Sequence, residues 1–348
     1  MRAALRELGP AGPFGPRPES RGLTNLRSNE NPFGGPYRQY PDDEVDVLVR
    51  HYIAALDVIE PPPPKAPRRT WTGANVLITR GAVDALDLIL RTFFEPGVDQ
   101  VAVTPPNFAF FDRLAKTHGV ALHPVPLGGG RFDRLDVDRL VTAPVRGVLL
   151  CDPNNPSSTR LNAEDLDQLL TRFPGLVVID ETYVEFDARA SHRHLVGEHP
   201  NLVVLRSMSK GFGMAGLRLG AILADPGIVA AIRTARSPFA VPSPVIEAAI
   251  GELADPSVLR RRIDALVEER DRLAAALSRS PRVWRAFADA GFVTIEVDDE
   301  AEVAYALGRA RIDTVINPDG WRRHIRISVG SPRDNARLIA TLNDPIPT

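Results

Sequence analysis

Lysine is almost absent from this chain: Lys65, Lys116 and Lys210 are the three lysines among 42 basic side chains in 348 residues. Arginine supplies nearly all the positive charge, so a retained lysine marks a place where arginine cannot serve. Only the lysine amine loses its proton near neutral pH and acts as a nucleophile or Schiff-base partner. Cysteine is nearly missing too. Cys151 alone excludes an internal disulfide framework and fits a reducing compartment. No run approaches the roughly 20 apolar residues of a membrane span, and the first ten residues lack the apolar stretch of a signal peptide. Charge of one sign is not in excess. The net charge of −2, without basic blocks, argues against nucleic acid and anionic membranes. The seven histidines (His51, His118, His123, His192, His194, His199 and His324) show no metal-ligand spacing with acids or Cys151. Together the absences point to a cytoplasmic protein with no metal, nucleic-acid or membrane partner.

What is there is ordinary in amount, with 44% apolar and 25% charged residues, and distinctive in order. The length exceeds one minimal domain. Residues 1–45, rich in Gly, Pro and Arg, read as an arm over the surface. Residues 44–57 form a short amphipathic helix, and Pro61 to Arg69 a stiff insertion. An α/β rhythm follows, with apolar strands expected at 76–79, 100–104, 121–126, 145–151, 176–179, 202–205 and 217–223. Helices are expected between them at 83–94, 108–117 and 163–172, the last capped by Asn162. Continuous apolar strands suit a mostly parallel sheet covered on both faces. Beyond residue 240 the pattern changes to long helices over 242–277, with a break at Asp255-Pro256, then short strands at 283–287, 292–297 and 324–329. The expected division is an arm (1–45), a large domain (46–240) and a smaller α+β domain (241–348).

Polar residues gather where strands end, the edge at which open parallel sheets collect ligands. Four ends carry them: Arg80 to Val83, Asn154-Asn155, Asp180 to Tyr183, and Ser207 to Arg218. They offer an amine, a carboxylate, a phenol, an amide, and hydroxyls with a guanidinium. Pyridoxal phosphate requires that set. The amine bonds its aldehyde, the carboxylate keeps its pyridine nitrogen protonated, and hydroxyls, Arg and a helix N-terminus hold its phosphate.

In the order Asn29-Glu-Asn-Pro32, Tyr40-Pro-Asp, Thr79-Arg-Gly-Ala82, Pro105-Pro106 with Phe108, Pro153-Asn-Asn-Pro156, Val178-Ile-Asp-Glu-Thr-Tyr-Val-Glu-Phe186, Ser207-Met-Ser-Lys210, Ala215-Gly-Leu-Arg218 and Ile325-Arg-Ile-Ser-Val-Gly330, nine segments resemble the fold-type I pyridoxal-phosphate aminotransferases of class I/II. They are most similar to the histidinol-phosphate aminotransferase branch. The resemblance implies a large domain built on a mostly parallel seven-stranded sheet, a smaller α+β C-terminal domain and an N-terminal arm. It implies that Lys210 forms the Schiff base and shuttles the proton, that Asp180 pairs with the pyridine nitrogen, and that Asn155 and Tyr183 bind the ring hydroxyl oxygen. Ser207, Ser209 and Arg218 would hold the phosphate with the backbone amides of Ala82 and Val83, while Phe108 stacks on the ring. Arg326, joined by Asn31, would bind the carboxylate or phosphate of the substrate. Tyr40 would reach the neighbouring subunit's site in a homodimer with shared sites.

Each residue also has a plain structural reading: Asp180 as a helix cap, Asn154-Asn155 as a turn, Tyr183 and Phe108 as packing, Arg218 and Arg326 as ion-pairing or surface residues. The chain departs from the family's pattern at Ser157-Ser158, Phe108 and Val83, and lacks an Arg near Val315–Asn317, where Arg322 or Arg323 could substitute. The expected activity is amino-group exchange between an amino acid or amine and a 2-oxo acid. The alternatives are decarboxylation, elimination or cyclisation with the same cofactor, and a non-catalytic cofactor-binding regulatory domain.

Overall fold

The computed structural model describes residues 1–8, 26, 28–41, 46–60 and 70–343. The insertion at 61–69, with Lys65, and much of the expected arm lie outside them. Seven strands form the larger sheet: β1 (Val76–Thr79), β2 (Gln100–Val103), β3 (Ala121–Pro124), β4 (Gly147–Cys151), β5 (Leu176–Asp180), β6 (Leu202–Ser207) and β7 (Gly220–Ala224). Their order is β1-β7-β6-β5-β4-β2-β3. Only β7 runs antiparallel to its neighbours. The inner strands are buried at every position from β4 to β7 apart from Leu176, as a sheet covered on both faces requires.

The helices, in chain order, are α1 (Ala3–Arg6), α2 (Asp46–Ile59), α3 (Ala82–Phe93), α4 (Ala109–Thr117), α5 (Val137–Thr142), α6 (Ala163–Arg172), α7 (Pro226–Ala235), α8 (Ser243–Leu253), α9 (Pro256–Leu277), α10 (Glu300–Arg309) and α11 (Pro332–Asn343). On one face of the sheet α2 buries Leu48, Tyr52, Leu56 and Ile59, together with Leu166 and Leu169 of α6. On the other face α3 buries Leu86, Ile89 and Leu90 against Leu77, Val178 and Val203. Each such fully buried side chain contributes on the order of 1.5–3 kcal/mol. Asn162 caps α6 by accepting from the amides of Glu164 and Asp165. The break at Asp255-Pro256 is real: α8 stops at Leu253, and Asp255 caps α9 with proline in its first turn.

Two differences from the sequence reading have simple causes. The strand expected from Leu217 begins only at Gly220, because Ala215–Leu217 is a single 3-10 turn and Arg218 has left-handed backbone (φ 55°). Helix α7 carries no expectation from the apolar pattern, yet Asp225-Pro226 is a cap-and-first-turn signal and Asp225 accepts from the amide of Gly227.

The second sheet is antiparallel, in the order β10 (Val315–Ile316), β11 (His324–Ser328), β9 (Phe292–Val297), β8 (Val283–Phe287). Its core joins Val293, Ile295, Ile325 and Ile327 to Leu273 and Leu277 of α9 and Leu338 of α11. The two sheets meet at the turn after β4. Ser158 Oγ donates to the Phe292 carbonyl (2.8 Å) and Thr294 Oγ1 to the Pro156 carbonyl (2.6 Å).

Candidate active site

Parallel pairing puts the ends of three strands side by side: Cys151 of β4 is opposite Asp180 of β5, which is opposite Leu205 of β6. The turn after β4, Asp180 itself, and the Ser207–Lys210 segment after β6 therefore face one space. Gly220 closes one side of it, lying level with both Thr79 and Ser207. A Cβ at Gly220 would stand 2.7 Å from the Gly81 carbonyl carbon and 2.9 Å from the Ala82 nitrogen. Only glycine lets β7 approach the start of α3 so closely.

That start is an anion cradle. Helix α3 has no side-chain cap, and Gly81 before it has φ 94°, so the first amides, Ala82 and Val83 included, are left for an acceptor. The Arg218 guanidinium lies beside Gly81, at 3.0 Å from a Cβ built there. It donates to Ser209 Oγ (3.3 Å) and the Ala215 carbonyl (3.0 Å). Ser207 Oγ accepts from the Ser209 amide (3.1 Å). Cation, hydroxyls and helix terminus converge as a phosphate requires.

Lys210 follows directly. Its Nζ lies 5.7 Å from the centre of the Tyr183 ring, which meets Phe292 edge-on at 5.0 Å. The Arg326 guanidinium stands over the other side of this group, 5.7 Å from the Phe292 ring, and donates to Asn155 Oδ1 at 2.6 Å. Partial enclosure of its amine, with the positive charges of Arg326 and Arg218, pulls the Lys210 pKa down. Burial pushes the Tyr183 phenol up, against the pull of Arg326. Asp180 is 3% exposed, and its Oδ1 accepts from the Thr182 amide (2.9 Å) and hydroxyl (2.6 Å). Burial outweighs both donors and raises its pKa to about 6. A buried carboxylate raised in this way is stabilised by a cationic partner. A protonated pyridine nitrogen is one, so the residues fit pyridoxal phosphate.

Beneath the Lys210 loop lies a buried ionic cluster. Arg206 of β6 is fully buried and bonds Glu60 at the end of α2, Glu181 and Glu185. Arg193 joins it through the Glu60 carbonyl. Burial pushes Glu185 upward. A Cβ at Gly211, next to Lys210, would lie 2.8 Å from the Glu185 Cβ, so the loop rests on this side chain.

The other expected residues lie further out. Phe108 precedes α4, with its ring stacked on Phe110 (5.3 Å) and edge-on to Phe111 (6.0 Å). Tyr40 stacks on Phe239 (4.5 Å) and its amide donates to Glu30, while Asn31 Oδ1 accepts from the Phe33 amide. Both line a cleft with Pro242–Pro244, and the contacts described for them run there and not to the Lys210 group. Arg322 and Arg323, the candidates for a second basic group beside Arg326, make exposed ion pairs. Arg322 pairs with Glu300 (2.9 Å), and Arg323 pairs with Asp298 (2.9 Å) and the Val297 carbonyl. Sequence reasoning missed Thr182 and Phe292. Thr182, two residues after Asp180, had a signal in the local Asp-to-backbone turn pattern; Phe292 had none, because its role depends on how the sheets dock.

Comparison with known proteins agrees with this arrangement. The profile of the family described as "Aminotransferase class I and II" matches residues 34–342. The histidinol-phosphate aminotransferase of Stenotrophomonas maltophilia (strain R551-3) is 33% identical, covering 91% of this chain and 89% of its own. Histidinol-phosphate aminotransferase 2 of Idiomarina loihiensis is 30% identical, covering 94% and 93%. The solved histidinol-phosphate aminotransferase of Sinorhizobium meliloti, in complex with pyridoxal-5'-phosphate, superposes with a TM-score of 0.74 at 25% identity, covering 91% and 88%. The L-threonine-O-3-phosphate decarboxylase of Porphyromonas gingivalis shares the fold, with a TM-score of 0.71 at 22% identity over 88% and 90%.

Proposed function

The chain belongs to the class I and II aminotransferase family and is a pyridoxal-phosphate-dependent aminotransferase of the histidinol-phosphate aminotransferase-like branch, and we propose that the Lys210 group is its catalytic centre. The observation that carries the assignment is the convergence of Lys210 after β6, the buried Asp180 at the neighbouring end of β5, and Arg218 with Ser209 beside the start of α3. Bound through its aldehyde, the cofactor supplies an electron-accepting ring on which an amino group passes from an amino acid or amine to a 2-oxo acid.

The residues divide the work. Arg218, Ser207, Ser209 and the amides of Ala82 and Val83 would hold the phosphate, and Phe108 would pack on the ring. Asp180 would keep a proton on the ring nitrogen, while Asn155 and Tyr183 would donate to the ring hydroxyl oxygen. Lys210 Nζ, with its lowered pKa, would bond the cofactor aldehyde and, once displaced by substrate, serve as the base for the proton on the substrate Cα. Arg326 binds the substrate carboxylate, and Asn31 closes over the substrate from the arm.

The finer assignments are proposals as well. The protein works as a cytoplasmic homodimer in which Tyr40 reaches the neighbouring subunit's site; the exposure of Tyr40, 52% within one chain, supports this. The division into arm (1–45), cofactor-binding domain (46–240) and C-terminal domain (241–348) is supported by the separate core under the four-stranded sheet, although α8 and the first turns of α9 pack on the large core.

The test is a half-reaction. Purified protein carrying the cofactor is mixed with single amino donors while visible absorption and products are followed. Conversion to the pyridoxamine form with release of a carbonyl product, lost in Lys210→Ala, is expected. Carbon dioxide or an eliminated or cyclised product without the pyridoxamine form overturns the transamination reading.

A further inference from the structure

Beside Arg326 opens a cleft of about 530 Å³ whose walls include Pro105, Pro106, Phe132 and Trp321 and whose polar groups include Asp112 and Asp319. Two contacts tie its walls to the proposed centre. The Pro106 carbonyl accepts from Asn154 Nδ2 at 3.0 Å, next to the Asn155–Arg326 bond. The amide of Ala109, adjacent to Phe108, hydrogen-bonds Asp319, which also feels the charge of Arg326. Trp321 is fixed by stacking on His324 (3.4 Å) and by edge contact with Phe132 (4.8 Å). Asp319 sits at φ 56° and Asn317 at φ 45°, backbone that non-glycine residues adopt at a cost of order 1 kcal/mol or more and that gathers at ligand-binding segments.

The charge of this cleft is the wrong sign for a phosphate ester. A phosphate dianion is held by several cationic donors. Among the described residues, Arg326 is the basic side chain that acts on Asp319, and Arg322 and Arg323 are engaged with Glu300 and Asp298. Two carboxylates on apolar walls, Asp112 accepting from Asn107 Nδ2 (3.3 Å) and Asp319 from the Ala109 amide, keep further acceptor sites for a cation or an N–H donor, while Arg326 complements one carboxylate.

Resting on the aminotransferase reading above, we propose that the amino donor is an unphosphorylated α-amino acid. Its carboxylate pairs with Arg326, and its side chain lies along Phe132 and Trp321 and ends in a cationic or N–H-donating group held by Asp319. Asp319 is then a specificity-determining residue.

The test uses the holoenzyme with 2-oxoglutarate as acceptor and L-arginine, L-histidine, L-leucine and histidinol phosphate as donors. L-arginine or L-histidine is expected to exceed histidinol phosphate in kcat/KM. In Asp319→Asn the arginine-to-leucine ratio of kcat/KM should fall about 10–100-fold, the loss of one charge-assisted bond, chiefly through KM. Calorimetric binding of 5-guanidinopentanoate, which has the carboxylate and cation but no α-amino group, should weaken to the same extent. Preference for histidinol phosphate, or an unchanged arginine-to-leucine ratio in the variant, overturns the inference and leaves the aminotransferase reading standing. Failure of every donor to convert the bound cofactor overturns both.

Discussion

Replacing Asp180 by asparagine should stabilise the cofactor-free protein while disabling the enzyme. Asp180 is 3% exposed and its pKa stands at about 6 in the fold, against about 3.9 in an unfolded chain. For a carboxyl raised on folding, the stability it contributes is full below the unfolded value and is lost as pH rises through the folded one. Linkage gives a cost of roughly 1.5 kcal/mol at pH 5, growing to roughly 3 kcal/mol at pH 7.5. Asparagine keeps an oxygen for the two Thr182 donors and cannot ionise, so it escapes the cost. Urea unfolding of cofactor-free wild-type and Asp180→Asn protein at the two pH values should therefore show the variant ahead, and further ahead at pH 7.5. A protonated ring nitrogen beside the carboxylate cancels the cost, so adding pyridoxal phosphate should favour the wild type and reverse the order. Turnover of the variant should fall about 10²–10³-fold, as when other preorganised electrostatic stabilisers are removed. A stability difference independent of pH, or full turnover in the variant, would show that Asp180 is not the buried, cation-seeking carboxylate described here.

Two further perturbations separate cofactor retention from chemistry. Arg218→Ala should raise the cofactor dissociation constant about 10–100-fold, seen by fluorescence titration, with a smaller change in turnover at saturating cofactor; the opposite split would remove Arg218 from the phosphate site. Gly220→Ala places a Cβ 2.7 Å from the Arg206 carbonyl oxygen and 2.9 Å from the Ala82 nitrogen, backbone atoms that cannot swing aside. It should cost about 1–3 kcal/mol of stability and loosen the cofactor, measured by melting temperature and retention on dialysis. An unchanged melting temperature would mean that the β7–α3 approach is softer than drawn.

The strands of the large sheet were legible because their cores are continuous apolar runs, and the site because Lys210 stands out in an arginine-based chain. Residues that act where they sit in sequence, such as Asn162 capping α6 and Asp255 capping α9, were equally plain. What sequence could not show depends on distant partners. Arg322 and Arg323 stood near the right place, and their pairing with Glu300 and Asp298 was not visible in the sequence; β10, two residues long, is defined only by its pairing with β11. The start of β7 was obscured because a run of apolar residues does not reveal that Arg218 turns left-handed.

The buried cluster under the Lys210 loop bears on how this sequence can change over time. Arg206 and Glu60 are 146 positions apart, yet Glu60, together with Glu181 and Glu185, depends on Arg206, because a charge stranded in the interior costs about 3–5 kcal/mol. Substitution of Arg206 alone should be among the most damaging in a mutational scan, whereas loss of Glu60 or Glu185 alone leaves Arg206 two carboxylate partners. Joint replacement by apolar side chains of matching volume could approach neutrality. Drift at Arg206 is therefore a matter of linked changes, and a different packing beneath the catalytic lysine is reached by losing the acids before the arginine they share.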